Sequence, residues 1–284
     1  MAIDSMSTCV AGIQSWTESG GPKLVPVPVH HDSHAAWPIP EAIHCVRGLS
    51  HYRSQSLLDS RKSALEIRQA ENDCSRRCAA QALRLAGMKI PQLSFSHSER
   101  TNLAGAARHN PDCSTTWPAG FVGALSHSER WVWAAVARQQ EFLSIGLDTN
   151  TIVRDNPADS ILDEVGAVAE WCQLLAVGLP KNQAVALLTS AKATFYRYWY
   201  PLLQRCWDFS DVELVSIDPR SIRNTPSHRN HSSGTMQLQL KSTITPGLAI
   251  PEYLCPTAPL TVHFQIEKPD VFTMAWQINP IVRP

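Results

Sequence analysis

Four short stretches combine charged and polar side chains at spacings that suit the binding of a phosphorylated ligand. In chain order they cover residues 68–76, 126–127, 146–150 and 189–197. Arg and Lys donate charge-assisted hydrogen bonds to phosphate oxygens, and carboxylates can hold a divalent cation against the same oxygens. The sequence therefore predicts chemistry at a phosphate, built from stretches that the fold must bring together.

The first stretch is a pair of arginines on a predicted helix. Arg68 and Arg76 are eight positions apart, which places them about two turns apart on a similar side of a helix. Such a pair can clamp a phosphate through its forked donors. The alternative is a solvated basic face in which Glu71 pairs with Arg68, an arrangement that contributes little to stability.

The second stretch is Ser126-His127 at the end of a predicted strand, after Trp117-Pro118. It places a hydroxyl and an imidazole at the rim of a sheet, where both can contact a ligand. A capping serine beside a surface histidine is the alternative.

The third stretch is a glycine followed by a carboxylate and an amide, Gly146-Leu147-Asp148-Thr149-Asn150. Strand alternation sends Gly146, Asp148 and Asn150 to one face, and the glycine leaves room for close approach to the backbone. Two carboxylates on this face would suit magnesium, but only Asp148 is acidic. The sequence therefore predicts a weakened metal site with Asp148 and Asn150 as ligands.

The fourth stretch places a lysine on a mainly apolar helix. Lys192 and Tyr196 share a helix face. Lys192 is a candidate for pairing with phosphate or with Asp148, and a surface lysine with a buried aliphatic stem is the alternative.

Periodicity predicts the elements that must position these residues. A helix is expected over residues 61–86, capped by Gly87, followed by strands over 121–126, 131–137 and 142–148. Helices follow over 160–177 and 183–200, the second ended by Pro201. Four more strands are expected over 212–218, 236–243, 261–267 and 271–278, with a polar loop at 219–234.

This order predicts an α+β fold of two halves, each a small antiparallel sheet packed with helices. The expected division is an irregular leader over residues 1–45, an N-terminal half over 46–145 and a C-terminal half over 146–284.

Composition excludes several classes of protein. The net charge is 0, with 25 basic and 25 acidic side chains, so bulk electrostatics favour neither a nucleic acid nor a membrane as a partner. The sequence has no apolar run long enough to span a membrane, and its first residues do not resemble a signal peptide. The eight cysteines include no CxxC pair, which favours reduced thiols and a cytoplasmic location.

Taken in order, the four stretches resemble the 4'-phosphopantetheinyl transferases of the enterobactin-synthase-component-D type. That family shows Arg-x-x-Glu-x-x-x-Gly-Arg, Trp-Pro leading to Ser-x-Ser-His, Gly-x-Asp-x-Glu and Phe-Ser-x-Lys-Glu. This sequence has matching residues at 68–76, 117–127, 146–150 and 189–193, over about residues 60–280. The resemblance implies the family's fold and its reaction, which moves the phosphopantetheine arm of coenzyme A to a serine of an apo acyl or peptidyl carrier protein.

The resemblance also implies a role for each site residue. Coenzyme A would contact Arg68, Arg76, Ser126, His127 and Lys192. Asp148 would be the first magnesium ligand, and Asp148 and Lys192 would act in catalysis. The resemblance further implies a monomer that serves siderophore or other secondary-metabolite biosynthesis.

This sequence departs from the family pattern at the acids. Asn150 stands where the family has the second carboxylate, and Ala193 where it has the third; Ser75 and Thr189 are milder changes. We therefore expect a transferase with impaired or altered catalysis. The alternatives are a non-catalytic homologue that binds coenzyme A or a carrier protein, and a family member with different chemistry.

Overall fold

The structure is a computed structural model that describes residues 24–26, 39–49, 64–89, 108–109, 115–154, 159–218, 231–242 and 254–280. Most of the predicted leader and most of the predicted loop at 219–234 lie outside these ranges. Within them, no helix is long and apolar enough to cross a membrane.

The described helices and strands follow the predicted order. The helices are α1 (Ala64–Leu85), α2 (Asp159–Val165), α3 (Val168–Ala176) and α4 (Lys181–Leu203). The strands are β1 (Leu24–Pro26), β2 (His44–Leu49), β3 (Arg108–His109), β4 (Thr115–Thr116), β5 (Phe121–His127), β6 (Trp131–Arg138), β7 (Phe142–Thr151), β8 (Val212–Ile217), β9 (His231–Leu240), β10 (Leu260–Glu267) and β11 (Asp270–Ile278).

The first sheet has the antiparallel order β1-β2-β6-β5 and carries α1 on one face. Apolar residues three and four apart along α1 form its buried stripe, Cys74, Cys78, Ala79, Ala82 and Leu83, which Ala86 continues just past the helix end. They pack against Val46, Leu125, Val132, Ala134 and Val136 of the sheet. The predicted cap is confirmed, because Gly87 has a φ of 83°, which glycine adopts without steric cost.

The second sheet has the antiparallel order β7-β11-β10-β9-β8, with α4 across one face. Alternate residues of β10, Val262, Phe264 and Ile266, contribute to the core beneath this helix. Phe195 of α4 belongs to the same apolar cluster.

The two sheets pack through their other faces. Ile145, Leu147, Phe272 and Met274 of the second sheet meet Cys45, Ala124, Trp133, Ala135 and Ala137 of the first. The Trp133 and Phe272 rings lie 4.4 Å apart between centroids. The result is a stack of α1, first sheet, second sheet and α4, which confirms the predicted α+β class. The proposed division of the chain into halves at residue 146 remains a prediction. The strand β7, which pairs with β11 in the second sheet, begins four residues earlier, at Phe142.

Several predicted boundaries are wrong, and among them β7 and β9 each end three residues from the predicted position, at Thr151 and Leu240. The helix expected over residues 160–177 is two helices, interrupted at Gly166, where the Trp171 indole donates to the Gly166 carbonyl (3.0 Å). The helix α4 continues past Pro201 to Leu203, because a proline in the last turn leaves most of the helix hydrogen bonds intact. The polar loop ends earlier than predicted, since β9 begins at His231.

One histidine of the second sheet gives a prediction about acid stability. His263 stacks on Trp276 with 4.2 Å between ring centroids, its Nδ1 has no hydrogen-bond partner among the described residues, and burial lowers its pKa from 6.5 to about 4. As the pH falls from 6.5 towards 4, the unfolded chain gains a proton that the folded chain does not, so stability falls. We expect His263→Phe, which retains an aromatic ring, to remove up to ~3 kcal/mol of this loss. Denaturant unfolding at several pH values measures it, and equal pH slopes for both proteins would contradict it.

Candidate functional site

The candidate site lies where the edge strand β7 meets β5 and the helix α4. Asp148 of β7 is 6% exposed and shares a face with Gly146. The hydroxyl of Ser126, near the end of β5, donates to Asp148 Oδ1 (2.9 Å) and accepts from the Thr149 amide (3.1 Å). Because β7 has no strand neighbour on this side within the described ranges, the Thr149 amide is open to a side chain of the first sheet. Two of the predicted stretches therefore meet in the structure.

Gly146 sets how closely α4 approaches β7. A Cβ at this position would lie 2.2 Å from the Thr194 carbonyl oxygen and 2.9 Å from Cβ of Tyr198. Any larger residue would push the helix away. The Ser144 hydroxyl donates to the Tyr198 carbonyl (2.7 Å) and fixes the same contact.

The cation beside Asp148 is Arg197, which the sequence analysis missed. Its Nη1 donates to Asp148 Oδ1 and to the Leu147 carbonyl (3.1 Å). Long helical side chains lean towards the N-terminus of their helix, and here Arg197 lies along β7 towards Asp148. Its side chain is 37% exposed, so part of the guanidinium faces solvent.

Lys192 does not pair with Asp148, so that prediction is wrong. Its ammonium group contacts both carboxylate oxygens of Glu170 (2.9 and 3.1 Å) and donates to the Phe209 carbonyl (3.0 Å). Lys192 donates two hydrogen bonds, to Glu170 and to the Phe209 carbonyl, and is 1% exposed. Burial lowers the pKa of Lys192, and the Glu170 carboxylate opposes this shift. A role for Lys192 at phosphate stays a prediction, and this geometry assigns it to the core.

The Glu170 carboxylate also accepts two backbone amides. These belong to Ala167 (2.7 Å) and Leu214 (2.8 Å). The Lys192–Glu170 pair therefore ties together α3, α4, β8 and the turn at Phe209.

The residues around Asp148 do not fit a resident magnesium ion. Asp148 Oδ1 already contacts Ser126 and Arg197, and the Asn150 amide oxygen accepts the Thr151 amide (2.8 Å). Ala193 has no ligating atom. Within the described ranges, no group of three His, Cys, Asp or Glu side chains could hold a metal. A divalent cation would therefore meet one carboxylate that a guanidinium already neutralises.

Two of the predicted coenzyme A contacts lie on the first sheet and its helix: His127 ends β5, and Arg76 lies on α1. Cys78 Sγ contacts the Val132 carbonyl (3.9 Å), and Val132 is the strand partner of His127. Arg76 is two residues before Cys78, and His127 directly follows Ser126. Arg76 is half-buried and His127 is exposed. Arg68 lies earlier on α1, and its role stays a prediction.

Removing the Ser126 hydroxyl should destabilise the site. We expect Ser126→Ala to lower the free energy of unfolding by ~1–3 kcal/mol, because the buried Thr149 amide loses its partner and Asp148 loses a donor. Ser210→Ala, at an exposed serine, is the matched control. Equal unfolding free energies for the two variants would contradict the geometry described here.

The comparisons with known proteins agree with the sequence resemblance, although no family model matches the chain. The chain is 36% identical over 107 residues to 4'-phosphopantetheinyl transferase Svp of Streptomyces mobaraensis. This alignment covers 37% of this chain and 42% of that protein. It is 29% identical over 154 residues to 4'-phosphopantetheinyl transferase Npt of Nocardia iowensis, covering 54% of this chain and 61% of that protein. It is 30% identical over 104 residues to 4'-phosphopantetheinyl transferase PptT of Mycobacterium tuberculosis, covering 35% and 43% respectively.

The chain is thus similar to three 4'-phosphopantetheinyl transferases, which confirms the predicted resemblance to this superfamily. The matched region spans 42% to 61% of the length of these three relatives.

Proposed function

We propose that this chain transfers the 4'-phosphopantetheine arm of coenzyme A to a serine of an apo carrier protein. The observation that carries the proposal is the contact between Ser126 and Asp148 (2.9 Å), which joins two family-like motifs 22 residues apart in one site. The similarity to three phosphopantetheinyl transferases supports the same function.

The reaction is a displacement at phosphorus. The carrier serine oxygen forms a bond to the phosphorus that bears pantetheine, and the bond from that phosphorus to the bridging oxygen breaks. Adenosine 3',5'-bisphosphate leaves, and the serine proton passes to water. Transfer of this kind depends mainly on positioning and charge neutralisation, so it can proceed without a carboxylate at position 193.

The chain's cations have separate roles in this proposal. Arg76 and His127 contact the nucleotide phosphates of coenzyme A, and Arg68 is a further candidate for the same role. Arg197, beside Asp148, faces the pyrophosphate. The amide at Asn150 and the methyl at Ala193 supply neither charge nor a base, so we expect slower transfer than in a site with three carboxylates.

The cellular setting forms part of the same proposal. We place the activity in the cytoplasm and expect a monomer, with an acyl or peptidyl carrier protein as the partner. Cys45 and Cys78 are buried thiols, as a reducing compartment favours. Burial raises the pKa of Cys45 to about 12, which makes it a poor nucleophile.

The proposal is tested by following adenosine 3',5'-bisphosphate release from coenzyme A by chromatography. We expect release that requires both the chain and an apo carrier protein. A carrier that lacks the acceptor serine is the control. Coenzyme A binding without release on any apo carrier would overturn the proposed transfer and favour a binding protein of the same fold.

A further inference from the structure

The charge balance at Asp148 differs from that of a metal site. The charges of Asp148 and Arg197 sum to zero, and the neighbouring positions are occupied by the neutral side chains of Asn150 and Ala193. A divalent cation favours sites with excess negative charge. This site has no excess of negative charge, and its positive charge is that of the Arg197 guanidinium.

The fold holds Arg197 firmly in this position. The close contact at Gly146 fixes α4 against β7, and the Leu147 carbonyl accepts a second hydrogen bond from the same nitrogen (3.1 Å). Thr194, one turn earlier on the same helix, shares a hydrogen bond with the Thr273 hydroxyl (2.7 Å), and Thr273 is the strand partner of Asp148. The guanidinium is therefore oriented before any ligand binds.

Arg197 keeps donors available for a ligand. A guanidinium has five N–H groups, and within the described ranges only Nη1 has partners. With 37% of its side chain exposed, Arg197 can bind a phosphate oxygen while it remains paired with Asp148.

We propose that the Arg197 guanidinium, held by Asp148, takes the place of a divalent cation at the pyrophosphate of coenzyme A, so that this chain binds its substrate without magnesium. The inference rests on the proposed function, because it requires coenzyme A to bind at this site. A purely structural ion pair is the competing account.

Calorimetric titration of the full chain with coenzyme A, in EDTA and in excess magnesium, tests the inference. We expect the same Kd in both conditions, within experimental error. Binding that requires magnesium would overturn the inference and leave the proposed function intact. If coenzyme A binds in neither condition, the proposed function fails and the inference fails with it.

Variants separate a ligand contact from a structural ion pair. We expect Asp148→Asn combined with Arg197→Met to weaken coenzyme A binding ~10-fold or more in EDTA, since the charge-assisted contact is lost while no unpaired charge is left buried. Arg205→Met, at an exposed arginine near the end of α4, is the matched control and should bind like the parent protein. Circular dichroism monitors folding. A folded double variant with the parent affinity would show that the pair is only structural and would overturn the inference.

Discussion

Lys192→Met is expected to lower the free energy of unfolding by ~3–5 kcal/mol, because it leaves the Glu170 carboxylate buried without its countercharge. The side chains of Lys192 and Glu170 are 0% and 7% exposed, so water cannot replace the lost partner. Urea or guanidinium unfolding, followed by circular dichroism, gives the change in free energy.

The control for this prediction removes both charges. Lys192→Met combined with Glu170→Gln should lose less stability than the single variant, because no charge remains buried and the Gln amide oxygen can still accept a backbone amide. A Lys192→Met protein as stable as the parent, but with weakened coenzyme A binding, would contradict the structural role and restore Lys192 as a phosphate contact.

Restoring two carboxylates is expected to make transfer faster and dependent on magnesium. Asn150→Glu with Ala193→Glu would change the summed charge of positions 148, 150, 193 and 197 from 0 to −2, which suits a divalent cation. A positioned general base typically contributes a ~10²–10⁴-fold gain in rate, and Glu at position 193 would supply one. Carrier loading measured with and without magnesium tests both effects.

A neutral double variant is the matched control for the added charge. Asn150→Gln with Ala193→Gln has side chains of similar size and should transfer at about the parent rate in either condition. If the Glu double variant transfers no faster than the Gln double variant, and its rate is also independent of magnesium, the missing carboxylates at positions 150 and 193 do not explain slow, magnesium-independent transfer.

The elements of the fold were predictable where local patterns determine them. The apolar stripe of α1 and the runs that form β5, β6 and β7 appear directly in the sequence, because each element buries one face. Gly87, with a φ of 83°, follows the end of α1 as predicted, and Gly178, with a φ of 87°, follows the end of α3. The break at Gly166 was not predictable, since it depends on how the distant Leu188 and nearby Trp171 side chains pack around the glycine.

The site was only partly predictable, because its pairings join distant parts of the chain. Lys192 and Arg197 are five residues apart, about 140° around a helix, so only one can face Asp148. The contacts of Gly146 with Thr194 and Tyr198 turn Arg197 towards β7. Sequence spacing alone cannot identify that face. The partner of Lys192 is Glu170, which is 22 positions earlier and on another helix.

The geometry also clarifies why Asp148 could be predicted and its countercharge could not. Asp148 follows Gly146 by two residues on the same strand face, and this pattern can be identified from the sequence alone. In the structure, Gly146 does lie against the backbone of α4. The missing acids at Asn150 and Ala193 were visible as departures from the family pattern. The pairing of Arg197 with Asp148 beside these positions needed the packing of α4 on β7.

The most direct test of the central claim is intact mass spectrometry of apo carrier proteins after incubation with this chain and coenzyme A. The account predicts that a carrier gains the mass of one phosphopantetheine group in EDTA as well as in magnesium, and that a carrier without its acceptor serine gains none. An unchanged mass for every apo carrier in both conditions, with a folded chain, would contradict the assignment as a transferase.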